Sequence, residues 1–181
     1  MKTSIKIRLF LSALIVFTVI SCKRIDEYPP EPVINFLGFD KLYNATEKVY
    51  DRGVLKFDFT DGDGDLGLAD ADTFPPFNPG SPYYYNLIID FYEVQNGVET
   101  PVYLTFYNAT TEEFDTVSLS ARIPRLTPVG SNKAISGEVY DTLFIYNYAS
   151  SYDTLFLEFR IVDRALHESN IERTPYIVRT P

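Results

Sequence analysis

Val54-Leu-Lys-Phe-Asp-Phe-Thr60 runs without a break into Asp61-Gly-Asp-Gly-Asp-Leu-Gly-Leu-Ala-Asp-Ala-Asp72, and the reading of the fold starts at that junction. In the first segment Leu55, Phe57 and Phe59 alternate with Lys56, Asp58 and Thr60. A two-residue period is that of a strand with one face on a core. The second segment cannot continue it, because Asp61, Asp63 and Asp65 would bury like charges together. A tight loop is expected, in which Gly62, Gly64 and Gly67 let the backbone curl so that alternate carboxylates converge. Converging carboxylates suit a hard cation, Ca²⁺ first, which takes several oxygen ligands at once. Asp70 and Asp72 follow closely enough to be counted with them. A solvated turn is the competing reading, since Asp-Gly pairs are common turn formers. Repulsion does not separate the two: like charges ~4 Å apart cost only ~1 kcal/mol in water and ~4 near a protein surface.

The spacing resembles the opening of the EF-hand, dockerin and thrombospondin type 3 calcium loops, which share Asp-x-Asp-x-Asp. It departs from the EF-hand at Leu66, where that loop has its glycine, and at Asp72, where it has a glutamate. The flanks read as strand, so an acidic loop is expected and an EF-hand is not.

Leu155, Leu157, Phe159 and Ile161 repeat the alternation just before Asp163. Val33 to Phe39, Tyr83 to Val94, Thr116 to Ile123, Glu138 to Asn147 and Tyr176 to Arg179 are further expected strands. Asn96-Gly97 signals a hairpin, with Val102 to Tyr107 as the returning strand. Residues 73–82, Thr-Phe-Pro-Pro-Phe-Asn-Pro-Gly-Ser-Pro, can only be a loop. No window has a long helical period with caps. About seven or eight strands over roughly 150 residues suit an all-β fold, an immunoglobulin-like antiparallel β-sandwich with long loops. If 54–60 is strand B, 155–162 strand F and the last one G, the B–C and F–G loops share one end. Asp163, Glu168 and Asn170 would then approach Asp61, Asp63 and Asp65.

Lys2, Lys6 and Arg8 ahead of the apolar run Leu9 to Ile20 mark residues 1–21 as a signal segment. Val19-Ile20-Ser21-Cys22 resembles a bacterial lipobox, in which signal peptidase II cuts before a cysteine that carries the lipid. The resemblance implies lipidation at Cys22, the chain's one cysteine, which can form no internal disulfide. Residues 22–32, with Pro29, Pro30 and Pro32, read as a lipidated cysteine and tether of extended character, and 33–181 as the sandwich domain. The strand–acidic loop pair and the closing Asp-Arg-Ala, Ser-Asn and Thr-Pro steps look like small Bacteroidota lipoproteins with an immunoglobulin-like domain. That implies a lipid anchor in the outer membrane of the bacterial cell envelope and this fold, without implying an activity.

The formal charge is −9; without residues 1–21, 13 Lys plus Arg face 25 Asp plus Glu, a net of −12. Nucleic acid is excluded as a partner, because phosphate contacts need a basic face. His167 is the one histidine and sits in a polar loop. With no second histidine and no glycine-rich loop opening a helix, nothing points to a nucleophilic triad, a zinc site or a nucleotide site. Tyr83-Tyr84-Tyr85 read as sandwich packing, since alternate strand residues face opposite sides. The expectation is a non-enzymatic, lipid-anchored binding module with a structural Ca²⁺ in the B–C loop. It meets the membrane through the lipid, and a glycan or protein partner through the stiffened end. The alternatives are an ion-free accessory subunit of an envelope or nutrient-uptake complex, and a hydrolase, which needs two close carboxylates in a cleft.

Overall fold

The computed structural model describes residues 28–128 and 133–181, and among them every regular element is a strand. In chain order these are β1 (Val33–Asn44), β2 (Val49–Asp61), β3 (Leu87–Gln95), β4 (Val98–Pro101) and β5 (Leu104–Asn108). They continue with β6 (Glu113–Val117), β7 (Ile135–Phe144), β8 (Thr154–Ile161), β9 (Glu172–Arg173) and β10 (Ile177–Val178). One antiparallel sheet has the order β1-β2-β7, the second β10-β8-β3-β4 with β9 also on β8, and β5 pairs with β6 alone. The signal segment, Cys22 and the first part of the tether lie outside the described residues.

The two well-patterned strands sit inside the two sheets and face each other. Leu55, Phe57 and Phe59 of β2 are buried, as are Leu155, Leu157, Phe159 and Ile161 of β8. The rings of Phe57 and Phe159 meet across the gap with centroids 5.2 Å apart. Each such side chain contributes roughly 1.5–3 kcal/mol on burial, so these strands carry much of the driving force. The fold is all-β and sandwich-like, with one core between the sheets.

Several strand limits differ from those expected. Asn96 and Gly97 both have positive φ, 54° and 83°, and the pair Gln95↔Val98 closes a two-residue turn. The returning strand is therefore Val98–Pro101, and Pro101, with no N–H to donate, ends it. Residues 104–108 pair instead with 113–117 in a separate hairpin. The long strand begins at Leu87, since 83–86 form no strand, and 118–123 form none beyond a bridge from Ala121 to Leu87. The last strand is split by Pro175. Thr174 bridges the break: its N–H donates to Leu157 O, and its Oγ1 accepts from Leu157 N, both at 3.0 Å.

At one end of the sandwich lie the loop after β2, the loop after β8 and the beginning of β7, which pairs Ile135 with Asp61. The other end is closed by a buried ion pair in which Arg179 Nη2 lies 3.5 Å from Glu93 Oε1.

Candidate metal centre

β2 delivers Asp61 at its last position, fully buried. Asp61 Oδ1 accepts from the Gly64 amide (3.1 Å) and Oδ2 from the Leu66 amide (2.8 Å), which curls the chain directly behind the strand. The curl carries Asp63 and Asp65 back over Asp61. One carboxylate oxygen from each of the three lies within 4.8 Å of the others. Asp63 and Asp65 are only part-buried, so the cluster opens to solvent on one side.

Backbone packing holds this curl. Gly64 has φ of +71°, a conformation that side-chain-bearing residues rarely adopt, and a Cβ there would lie 1.9 Å from the Lys133 carbonyl oxygen. Gly62 is crowded in the same way by the Tyr28 and Pro29 carbonyls, and its N–H donates to Pro29 O at 2.9 Å. Thr127 Oγ1 donates to Gly64 O at 2.7 Å. The acidic loop is thus wrapped by three other segments of chain.

The loop after β8 lies against it. The Arg164 amide donates to Asp65 Oδ1 at 3.3 Å, and its guanidinium donates to Gly67 O at 3.0 Å. Asp163 is buried beside this contact, and both its oxygens are engaged by His167: Oδ1 by the amide (2.8 Å), Oδ2 by the ring Nδ1 (2.9 Å). Asp163 therefore adds negative charge to the centre while its own oxygens face the histidine. His167, read from sequence only as the one histidine of a polar loop, is that partner.

The remaining candidates lie apart from the three-carboxylate cluster. Asp70 is exposed. Asp72 accepts from the Ala69 amide (2.7 Å) and from Arg125 (2.8 Å), closing its own turn. Glu168 pairs with Arg160 at 3.2 Å. Asn170 exchanges two 2.9 Å bonds with the backbone of Ile34, so it acts as a strand partner for β1.

Electrostatics set the cluster apart from an ordinary turn. Burial pushes Asp61 from 3.8 up to about 6, and the Asp63 carboxyl adds to the rise against the lowering effect of the Leu66 and Gly64 amides. Burial also raises Asp65, with Asp163 and Asp63 contributing. Asp72 is lowered instead, first by the Ala69 amide and then by Arg125.

The chain matches no protein-family model, no curated protein and no solved structure.

The cluster is thus judged on its own chemistry. Its donors are all carboxylate oxygens, the set a hard divalent cation prefers. Asp63 Oδ1 is shielded from solvent and has no hydrogen-bond partner. A buried acceptor left without a donor costs ~1–3 kcal/mol, and a bound cation would remove that cost. The three residues present could hold a metal ion. The pull of the Pro29 carbonyl on Gly62 had no sequence signal beyond the glycine itself.

Proposed function

We propose that this chain is a lipid-anchored binding module of the cell envelope, with an immunoglobulin-like fold and a structural Ca²⁺ at one tip. The observation that carries the ion is the convergence of one carboxylate oxygen each from Asp61, Asp63 and Asp65 to within 4.8 Å of one another, with Asp63 Oδ1 shielded from solvent and unpartnered beside it. The ion would neutralise a centre that also faces Asp163, and stiffen two long loops. Modules outside the cytosol need only weak sites of ~10⁻⁴–10⁻³ M, so a centre open on one side suffices.

The strand order supports the immunoglobulin-like reading. With β1, β2 and β7 as A, B and E, and β10, β8, β3 and β4 as G, F, C and C′, the two sheets follow the order of that fold. The anchor rests on the lipobox-like run ending at Cys22. The tether reaches the domain at the ion tip, where Pro29 binds Gly62. On this reading the ion fastens the tether root, and the module's sides stay free for a glycan or protein partner.

One observation favours the ion-free accessory subunit: Asp61 already closes the loop through two backbone amides. Thermal unfolding with and without Ca²⁺ separates the readings. A rise in Tm that Asp63→Asn removes supports the ion, and no rise supports the accessory subunit. Membrane fractionation of Cys22→Ala tests the anchor independently.

A further inference from the structure

β7 lies at the edge of its sheet, paired with β2 alone. The Ile145 amide donates to Asp51 O at 2.8 Å, and from there the register runs from Arg52↔Phe144 to Asp61↔Ile135 without a bulge. Antiparallel pairs alternate between bonded and unbonded, so Val139, Asp141 and Leu143 spend their backbone groups on β2. The N–H and C=O groups of Glu138, Tyr140 and Thr142 point away from it. Among the described residues these have no backbone partner on the outer side. Side chains alternate in step: Glu138, Tyr140 and Thr142 are exposed, while Val139 and Asp141 are part-buried and Leu143 buried.

A groove of about 330 Å³ runs beside this edge, lined by Phe59, Ile123, Val139, two carboxylates (Glu138 and Asp141) and one cation, Arg122, whose guanidinium is spent on the carbonyls of Tyr84, Ala69 and Asp72. Its walls are mostly apolar, and Asp141, part-buried on that wall, has an oxygen, Oδ2, that is shielded from solvent and has no hydrogen-bond partner. An inward-pointing charge is also a device that blunts sheet edges against indiscriminate pairing. A complementary cation is what would admit one partner and keep that protection against others.

We propose that the outer edge of β7 docks an extended segment of a partner protein that carries a lysine or arginine. The segment's backbone adds to β7 as one more strand, and its basic side chain enters the groove to pair with Asp141. Charge selects this occupant. A second copy of the chain is a poor fit, because β7 (Ile-Ser-Gly-Glu-Val-Tyr-Asp-Thr-Leu-Phe) holds two carboxylates and no cation, and the chain carries −9. This rests on the reading of the chain as a binding module but not on the ion, whose site lies at the sandwich tip.

The test titrates the full chain with the end-blocked peptide Thr-Val-Thr-Lys-Thr-Val-Thr, and with versions carrying norleucine or glutamate for lysine, in Ca²⁺ and in chelator. The lysine peptide should bind at least tenfold more tightly than the glutamate peptide in both conditions. It should also slow amide exchange at Glu138, Tyr140 and Thr142. Asp141→Asn should bring the lysine peptide down to the affinity of the norleucine one. The peptide series on the unaltered chain decides the matter even if that variant folds poorly. No binding, equal affinity for lysine and glutamate peptides, unchanged exchange along β7, or a peptide-free dimer paired through β7 would each overturn the proposal. Loss of Ca²⁺ binding with peptide binding intact would overturn the ion alone.

Discussion

The Gly62 amide donates a 2.9 Å hydrogen bond to the carbonyl of Pro29, so the root of the N-terminal segment is fastened to the acidic loop. A Cβ on Gly62 would lie 2.2 Å from the Tyr28 carbonyl oxygen and 2.4 Å from that of Pro29. Both obstacles are backbone, which a side-chain rotation cannot clear.

Gly62→Ala should therefore detach residues 28–32 and cost about 1–3 kcal/mol. Limited proteolysis checks it: cleavage within 28–32 should become fast in the variant while the sandwich survives. Unchanged cleavage would mean that residues 28–32 are not held at this point.

Asp63 and Asp70 separate an ion centre from general acidity. Asp63 belongs to the three-carboxylate cluster and Asp70 is exposed outside it. Asp63→Asn should abolish the rise in Tm on adding millimolar Ca²⁺, and Asp70→Asn should keep it. Equal loss in both variants would assign the effect to overall charge.

The pH dependence follows from the direction of the shifts. Asp61 rises from 3.8 to about 6, so the native chain holds that proton more tightly than the unfolded chain does. Its favourable contribution is full below about pH 4 and is lost as pH rises through about 6, a change of about 3 kcal/mol. Asp65 is shifted the same way, chiefly by burial. The Asp163 carboxylate raises His167, whose contribution is present below its unfolded value and lost as pH rises through its folded one. In chelator, urea unfolding should show greater stability at pH 5 than at pH 8. The increment from Ca²⁺ should run oppositely and grow as Asp61 ionises. A Ca²⁺ increment independent of pH between 5 and 8 would exclude Asp61 as a ligand.

Cys22→Ala should move the protein from the membrane to the soluble fraction without altering its Tm. The cysteine lies ahead of the described residues. Retention in the membrane fraction would refute lipid anchoring.

The period-two runs of β2 and β8 were legible because one face of each is wholly buried, and Phe57 and Phe159 meet where that periodicity implies. The hairpin after Asn96-Gly97 was legible as a turn but not in its length, because Pro101 stops the ladder before the next apolar run begins. That run, Leu104–Asn108, finds its partner in Glu113–Val117 through the tight turn at Glu112, where φ is +59°. At the acidic tip the spacing of Asp61, Asp63 and Asp65 was enough to place their oxygens together. The fate of Asp72 was not legible, since Arg125, which captures it, is remote in sequence. The engagement of Asp163 by His167 was hidden for another reason: it depends on Leu166 adopting φ of +72°, which no residue type there announces.

Crystals grown in millimolar CaCl₂ and measured for anomalous scattering test the ion centre most directly. The expected result is one peak among Asp61, Asp63 and Asp65, with carboxylate oxygens about 2.3–2.6 Å from it. Carboxylates turned outward to solvent, with no peak between them, would contradict it.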